Sequence, residues 1–325
     1  MADINLVDMA AGLKDDVVAG IILNFARQSQ VMQRIPFNTI NSFTDKQWSV
    51  DSLSEANFRS IGSGYAEVKD NPREIIDSVA FLGAQIDIDR ALLIPGNKEI
   101  DVYAENIDWQ SQRFRFTFMD RFFNGDRNAA PDEFDGLKKR IADLVADGHA
   151  DARVDGASGD SLDVTSSSAN RQTYLDKINE AQFNVAEGAT GIDMIVTGKA
   201  GHLSLEAVAR REGLLDTSKD MFDREVRTFA GMVFDFAGTK ADQTTEIITA
   251  TEDPGDAGND STSYYFIRFG RPYLTGIQLT PPERVFDDLT DDGVTHRIVF
   301  EWPLGLQAKH KRSFVRLTNI KPFFA

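Results

Sequence analysis

Cysteine is absent from the 325 residues of the chain, which excludes disulfide bonds, thiolate nucleophiles and sulfur-ligated metals. Long hydrophobic runs are absent too. The apolar segment 17–23 is far shorter than the roughly 20 residues that a membrane-spanning helix needs. Positive charge is scarce, with 35 Lys and Arg against 51 Asp and Glu and a formal net charge of −16. This balance argues against a protein whose whole surface binds nucleic acid, because such binding neutralises phosphates with cationic side chains.

The remaining composition is that of a folded chain in water. Hydrophobic residues make up 42% and charged residues 26%, which is the balance of an ordinary globular protein. Phenylalanine is abundant at 23 residues, so much aromatic surface must be buried inside the chain or between subunits. The acidic start Met-Ala-Asp-Ile-Asn lacks the basic residues of a signal peptide. We expect the protein to be made and used in an aqueous, reducing compartment.

The patterns that mark common catalytic and metal sites are missing from the sequence. There is no Gly-x-Ser-x-Gly motif of a serine hydrolase. Gly198-Lys199 resembles the end of a phosphate-binding loop, but Ala200 replaces the required Ser or Thr. The histidines lack the spacing of a zinc site: His149, His202, His296 and His310. We therefore predict no catalytic, cofactor-binding or metal-binding residues, no cofactor and no enzymatic activity.

One segment resembles a DNA-binding element. Residues Ser204 to Gly213 are similar to the first helix and glycine turn of a helix-turn-helix unit. A recognition helix would then cover residues 217–227, where acidic and basic side chains balance, although the major groove favours a basic excess. A helix-turn-helix DNA-binding regulator is the first alternative function. An uncharacterised hydrolase, whose acidic side chains would have to line a pocket, is the second.

An amphipathic stripe occupies the N-terminal residues 8–31. Pro36 prevents a helix from continuing beyond them. The stripe fits packing on the chain's own domain as well as an arm laid against a neighbouring chain, and the sequence favours neither. The four-residue spacing of its apolar side chains predicts one helix with one apolar face: Met9, Leu13, Val17, Ile21 and Phe25.

Residues 44–71 lack a continuous hydrophobic face. Trp48 precedes a polar turn, and Phe58 and Tyr65 flank the flexible Gly62-Ser63-Gly64. This pattern predicts an extended two-stranded hairpin with too few apolar groups for a core of its own. Loops longer than about 15 residues usually have a function, so we expect the hairpin to lie on another surface.

A long helix is predicted for residues 98–123, between the N-cap Asn97 and the exit Asn124-Gly125. At 1.5 Å per residue it would be roughly 39 Å long. The alternation in 113–118 also fits a strand, so a break in the middle of the helix is the alternative. Its main apolar face consists of Ile100, Tyr103, Ile107, Phe114, Phe118 and Phe122. An adjoining apolar stripe consists of Val102, Trp109, Phe116 and Phe123.

The residues that follow predict a mixed helix and strand subdomain and then a series of strands. Pro131 fits the first position of a helix, and the segment 148–169, rich in Gly, Ser and Asp, is predicted to be a loop. Helices are predicted at 131–148, 174–188 and 203–213. Strands are predicted at 192–197, 226–234, 264–269, 273–279, 298–306 and 314–320.

The C-terminal end has the opposite charge from the whole chain. Residues 305–325 contain five Lys or Arg and no acidic residue, whereas the loop 252–260 is acidic. We expect that loop to be solvated. We also expect the C-terminal cations, among them Lys309, Lys311 and Arg312, to pair with acidic groups on other elements.

The order of these elements resembles a known family. Its most specific parts are Asn124-Gly-Asp126 followed by Glu133-Phe-Asp-Gly-Leu137, the strand Glu301-Trp-Pro-Leu-Gly305, and the closing Val315-Arg-Leu-Thr-Asn-Ile320. With the arm, hairpin and long helix before them, they resemble the major capsid proteins of tailed bacteriophages, which share the Hong Kong phage fold with encapsulins. The resemblance extends over nearly the whole chain.

The resemblance implies an α+β fold with an N-terminal arm, an extended hairpin loop, a peripheral domain with a long spine helix, and an axial α/β domain. The implied spine helix is 98–123. We expect the arm and the loop to be ordered by burial on neighbouring copies. The implied boundaries are 1–43 for the arm, 44–75 for the loop, 76–130 with 293–325 for the peripheral domain, and 131–292 for the axial domain.

The resemblance also implies a structural protein that assembles as homo-hexamers and homo-pentamers into an icosahedral shell around phage double-stranded DNA. Contact with the DNA would not be sequence-specific, and no membrane is implied. Separate scaffolding, portal and decoration proteins are the implied partners, and the implied location is the virion after assembly in the host bacterial cytoplasm. Some family members crosslink a loop Lys to an Asn. Nothing in the sequence marks Lys69 for that reaction, so no crosslink is predicted.

Overall fold

A computed structural model describes residues 5–13, 16–50, 54–70, 72–93, 102–157, 160–186, 191–252 and 260–323. These residues form seven α-helices: α1 (Leu6–Gly12), α2 (Asp16–Gln28), α3 (Gln30–Arg34), α4 (Val102–Asn124), α5 (Leu137–Ala146), α6 (Ser168–Asn184) and α7 (Lys199–Glu212). They also form fifteen strands: β1 (Phe37–Thr39), β2 (Thr44–Val50), β3 (Pro72–Ser78), β4 (Ala80–Asp89), β5 (Arg153–Asp155), β6 (Leu162–Asp163), β7 (Met194–Thr197), β8 (Leu215–Lys219), β9 (Glu225–Phe229), β10 (Met232–Phe236), β11 (Thr262–Ile267), β12 (Leu274–Gln278), β13 (Glu283–Leu289), β14 (Thr295–Ala308) and β15 (Phe314–Lys321).

The N-terminal stripe is divided among α1, α2 and α3, so the prediction of one helix is wrong. Leu13 follows α1 with an extended backbone at φ −82° and ψ 146°. Ser29 is extended at φ −144° and caps α3, because its hydroxyl accepts the backbone N–H of Met32 at 3.4 Å. Ser side chains favour this position because they satisfy an N–H group that the helix leaves free. The predicted end before Pro36 is confirmed.

The arm packs on its own chain. The Phe25 ring lies 6.0 Å from that of Phe114 and 6.3 Å from that of Trp302. Strand β1 adds to β12 in parallel, with Phe37 opposite Gly276, where a Cβ atom would lie 2.4 Å from the Phe37 ring. The sequence left open whether the arm packs on its own domain or on a neighbouring chain, and the structure shows it packed on its own domain. The expectation that the arm needs a neighbour for order is therefore wrong for its described residues.

Helix α4 is continuous, so the break considered at 113–118 does not occur. It ends at Asn124, close to the predicted end, while residues 98–101 and the predicted cap Asn97 lie outside the described residues. Phe114, Phe118 and Phe122 are buried, as the main apolar face predicts. The adjoining stripe is mixed, because Phe123 is buried whereas Trp109 is half exposed.

Two glycines explain the motif that follows α4. The Gly136 N–H donates to the Gly125 carbonyl at 2.9 Å, so the loop between them closes on itself. A Cβ atom would lie 2.4 Å from the Phe134 carbonyl oxygen at Gly125, and 2.5 Å from that of Arg121 at Gly136. Only residues without a side chain allow the backbones this close. Helix α5 consequently begins at Leu137, and the predicted start at Pro131 is wrong because that residue lies in a turn of the loop.

The strands form two main sheets. Sheet A has the order β1-β12-β14-β13, with β4 paired to the other side of β14. Sheet B has the order β5-β15-β11-β7-β10-β9-β8, with β6 also paired to β15. Strands β12 and β13 thus lie in sheet A, whereas the later β15 lies in sheet B. One cluster of buried side chains joins the arm, α4, α5, sheet A and one face of sheet B, and a second joins the other face of sheet B with α6 and α7.

Two predictions for sheet B are wrong. The predicted loop 148–169 contains β5 and β6, which pair in parallel with β15. The predicted single strand 226–234 is the hairpin β9–β10, which turns at Ala230 and Gly231 with φ of 49° and 83°. The alternation of apolar residues continues across this turn, so periodicity could not reveal it. The predicted helix end at Gly213 is confirmed, with the left-handed φ of 69° that glycine tolerates.

Candidate assembly surfaces

The extended hairpin, residues 44–78, projects from the chain without a core of its own. Strands β2 and β3 pair from Thr44 with Ser78 to Val50 with Pro72, and residues 54–70 contain no regular strand. The large apolar side chains are exposed: Trp48 by 71%, Tyr65 by 72%, and Phe58 and Ile61 completely. The predicted two-stranded hairpin is confirmed, but its second strand, β3, follows the predicted segment 44–71 instead of lying within it.

This exposure marks the hairpin as a contact surface. Burial of apolar surface stabilises a protein by about 25 cal/mol per Å². Burying these four large side chains against a partner would therefore contribute several kcal/mol that the exposed hairpin lacks. Monomeric soluble proteins rarely retain grouped apolar residues of this size unless a partner covers them. The hairpin can therefore bind a complementary surface.

The C-terminal cations form ion pairs inside the chain. Arg316 Nη2 lies 2.9 Å from Glu252 Oε2, with 8% and 9% of the two side chains exposed. Lys321 Nζ lies 2.6 Å from Asp260 Oδ2. The predicted pairing is confirmed for these two residues. The predicted solvation of the acidic loop is wrong for Glu252, and residues 253–259 lie outside the described part of the chain.

Arg312 behaves differently from these two cations. Its Nε donates to the Asn184 carbonyl oxygen at 2.6 Å, and its Nη2 donates to the carbonyl oxygens of Phe183 and Val185. It therefore binds the C-terminal end of α6, where free carbonyl groups and the helix dipole favour a cation. The structure does not show it paired with an acid.

A cavity of 240 Å³ separates the arm from sheet B and is bordered by Ser29, Arg115 and Asp235. Burial raises the pKa of the Asp235 carboxyl, although the backbone N–H groups of Phe236 and Gln30 partly oppose this. The folded state therefore holds the Asp235 proton more tightly than the unfolded state does. The free energy of unfolding consequently falls as the pH rises from about 4 through the raised pKa.

Asp235→Asn is expected to raise the melting temperature of the unassembled subunit at pH 7, because it removes a carboxylate whose charged form is unfavourable there. The difference should shrink as the pH falls and vanish below about pH 3, where the carboxyl is protonated in both the folded and the unfolded state. Thermal unfolding across this pH range measures it. Asp242→Asn is the control and should lower the melting temperature at pH 7, since hydrogen bonds from Thr245 lower the pKa of Asp242 to about 2 and so favour its charged form. A lower melting temperature for Asp235→Asn at pH 7 would contradict this account.

The helix-turn-helix alternative is wrong. Residues 217–227 form parts of strands β8 and β9 rather than a recognition helix. The intervening turn is stabilised by Asp220, whose carboxylate accepts the backbone N–H groups of Phe222 and Arg224 at 2.9 and 2.8 Å. Short side chains of Asp favour such turns over helices. This region presents no helix to a DNA groove.

The hydrolase alternative receives no support from the described residues. Ser29 in the cavity bordered by Asp235 caps α3 and donates its hydroxyl to Met119 Sδ at 3.4 Å, without a base beside it. His202 packs on the Phe234 ring, and burial lowers its pKa. His296 contacts the Asp287 carboxylate. Within the described ranges, no three His, Cys, Asp or Glu residues are arranged to hold a metal, and no helix is long and apolar enough to cross a membrane.

The phosphate-loop resemblance at Gly198 also proves to be local capping. Helix α7 begins after Gly198, and the Glu246 carboxylate accepts the backbone N–H of Lys199 at 3.1 Å. A carboxylate thus occupies the position at which a phosphate would approach the helix N-terminus. The absence of catalytic, cofactor-binding and metal-binding residues stays a prediction for the chain as a whole.

Comparison with known proteins agrees with this architecture. Residues 14–168 match the family model "Major capsid protein GP7". The matched residues contain most of the arm, the extended hairpin, α4 and α5, and they make up just under half of the chain. The capsid of the native GTA particle is 16% identical at a TM-score of 0.61, with 91% of this chain and 90% of that chain covered. The chain is a capsid shell protein with the Hong Kong phage fold.

Two further solved structures share the fold. The encapsulin in the holo-SrpI complex of Synechococcus elongatus PCC 7942 is 12% identical at a TM-score of 0.58, covering 88% of this chain and 85% of that one. The Mycobacterium phage Bobi structure is 12% identical at a TM-score of 0.54, covering 89% of both chains. No curated protein sequence matches the capsid shell protein. Its role is structural rather than enzymatic, it self-assembles into capsids, and its location is the virion capsid.

Proposed function

We propose that the capsid shell protein assembles as homo-hexamers and homo-pentamers into an icosahedral shell that encloses phage double-stranded DNA. The observation that carries the proposal is the exposure of the extended hairpin. Phe58 and Ile61 are completely exposed and have no apolar partner among the described residues. A neighbouring copy that receives these side chains would bury them and order residues 54–70.

Ring closure supplies the strength of such a shell. Each copy would give one hairpin to a neighbour and receive one from another, so every contact in a ring holds the next pair at high effective concentration. Interfaces of modest area then give a stable closed assembly. The arm is already packed on its own chain, so the hairpin is the element that we assign to contact between copies.

The division of labour within the subunit is also proposed. We assign residues 1–43 to the arm and 44–75 to the loop over the neighbour, with 76–130 and 293–325 in the peripheral domain around α4. The axial domain at 131–292 would meet its copies at the five-fold and six-fold axes. Sheet pairing favours moving two segments across these boundaries. Because β12 and β13 pair with β14, we place 274–292 with the peripheral part instead. The pairing of β15 with β11 favours placing 314–321 with the axial part.

Separate scaffolding, portal and decoration proteins would serve the shell, which would assemble in the host bacterial cytoplasm. The net charge of −16 limits adhesion to the packaged DNA, so we propose contact without sequence specificity. We propose no covalent crosslink through Lys69, whose exposed ammonium group lies 3.2 Å from the Glu67 carboxylate.

The test is electron microscopy and analytical ultracentrifugation of the purified protein. The natural chain should form closed shells or capsomer rings, whereas the double variant Phe58→Ser and Ile61→Ser should remain a folded, unassembled subunit. Ala66→Ser, also exposed in the hairpin, is the matched control and should assemble normally. A natural chain that stays monomeric over a wide concentration range would refute the proposal, as would normal shells from the double variant.

A further inference from the structure

The base of the extended hairpin is held by a buried ion pair. Arg140 on α5 donates from Nη2 to Asp77 Oδ1 on β3 at 2.8 Å. Only 14% of the Arg140 side chain and 5% of the Asp77 side chain are exposed. The other Asp77 oxygen accepts a hydrogen bond from Gln47 Nε2 on β2 at 3.2 Å. The Asp77 carboxylate therefore connects both hairpin strands to α5.

Arg140 is itself held from three directions. Its Nη2 also donates to the Leu306 carbonyl oxygen on β14 at 2.8 Å, and its Nε donates to the Asp135 carbonyl oxygen at 2.9 Å. The guanidinium group is planar and its donors are fixed in direction, so three acceptors on three elements determine its orientation. A lysine could supply the charge but not this set of directions.

One further side-chain contact, from Gln307 Nε2 on β14 to Asp45 Oδ2, reaches β2 but neither β3 nor α5. Arg73 Nη1 lies 2.6 Å from Asp147 Oδ2, but about half of each side chain is exposed. Exposed pairs of this kind contribute little. A Cβ atom at Gly305 would lie 2.5 Å from the Ser78 carbonyl oxygen, so β3 ends directly against β14. The hairpin therefore leaves the body of the subunit next to Arg140.

We propose that Arg140 is a positioning residue that sets the angle at which the extended hairpin leaves its subunit, and through that angle the curvature of the shell. The inference rests on the proposed function. A strand of seven residues is roughly 23 Å long, so a rotation of about 15° at the base moves its far end by roughly 6 Å. Such a displacement is large enough to change which part of a neighbour the hairpin meets.

The angle can be measured in the unassembled subunit. Because the chain has no cysteine, Glu74→Cys on the hairpin and Asp151→Cys on the body accept spin labels at two defined places. The distance between the labels should be narrowly distributed in the natural background. Arg140→Lys should broaden it or shift it by several ångströms. Lys139→Ala should not, because Lys139 pairs with Asp143 on its own helix.

The second readout is the size of assembled particles in electron micrographs. Arg140→Lys should replace a single diameter by a mixture of diameters or by open sheets, whereas Lys139→Ala should keep the natural diameter. Asp77→Asn removes the charge from the hairpin side at constant volume and should reproduce the effect. It provides the test if Arg140→Lys does not fold.

The outcomes separate this inference from the proposed function. Natural label distances together with natural particles in both Arg140→Lys and Asp77→Asn would overturn the role of Arg140. Absence of particles from the natural chain would overturn the proposed function alone. The label distances would still decide whether Arg140 fixes the hairpin.

Discussion

Trp302→Ala is expected to lower the free energy of unfolding by about 3–5 kcal/mol, the usual cost of removing a large buried aromatic side chain. Trp302 is completely buried and lies where the arm, α4 and sheet A meet. Its ring is 5.1 Å from that of Phe37, 6.0 Å from that of Phe118 and 6.3 Å from that of Phe25. The cavity left by the substitution would therefore loosen the arm as well as the core.

Chemical denaturation of the unassembled subunit measures this loss, and hydrogen exchange locates it. Exchange should accelerate in the arm helices α2 and α3 together with α4. Trp302→Phe is the matched variant, since it keeps an aromatic ring but loses the hydrogen bond from Trp302 Nε1 to Gln278 Oε1 at 3.0 Å. It should lose less stability than Trp302→Ala. Equal stability of Trp302→Ala and the natural chain would show that the arm does not depend on this cluster.

Glu252→Ala is expected to cost about 3–5 kcal/mol, because it leaves the buried Arg316 guanidinium without its counter-ion. Arg316 Nε also donates to Ser263 Oγ at 3.1 Å, and Ser263 in turn donates to the Glu252 carboxylate. This network lies on strands β11 and β15 of sheet B. Its disruption should therefore open the centre of the sheet.

Denaturant unfolding of Glu252→Ala against Glu74→Ala tests the argument. Glu74 pairs with Lys46 in the open, with 39% and 64% of the two side chains exposed, and its loss should cost less than about 1 kcal/mol. The double variant Glu252→Leu with Arg316→Met should recover much of the stability, because it leaves no buried charge. If Glu252→Ala is no worse than Glu74→Ala, the buried pair is unimportant.

Much of the fold follows from local patterns in the sequence. The long helix, the hairpin without a core and the strand that carries Trp302 were predicted from spacing and turn residues, whereas β4 and β13, which pair with that strand, were not. The interrupted helix at Leu13 and the hairpin at Ala230 were not, because the apolar alternation runs through both. The start of α5 was misplaced because the contact between Gly125 and Gly136 depends on two backbones that meet only after folding.

The residues that orient the hairpin were beyond sequence reasoning. Arg140 looks like an ordinary basic residue on an amphipathic helix, and Asp77 like a charge on a surface strand. Their burial results from the way in which α5 and β14 pack against the end of β3. The acid Glu252 was assigned to solvent for the same reason, since nothing near it in the sequence indicates that Arg316 faces it. The exposed tip of the hairpin was predictable, because its composition alone prevents a core.

The position of β15 has a consequence for synthesis of the protein. It is the most C-terminal of the described strands, yet it lies inside sheet B, between β5 and β11. A nascent chain cannot complete that sheet until the ribosome has released residues 314–321. Fragments from interrupted translation would lack the strand that joins the two parts of sheet B, so they would be poor building blocks and could not enter a growing shell as intact subunits.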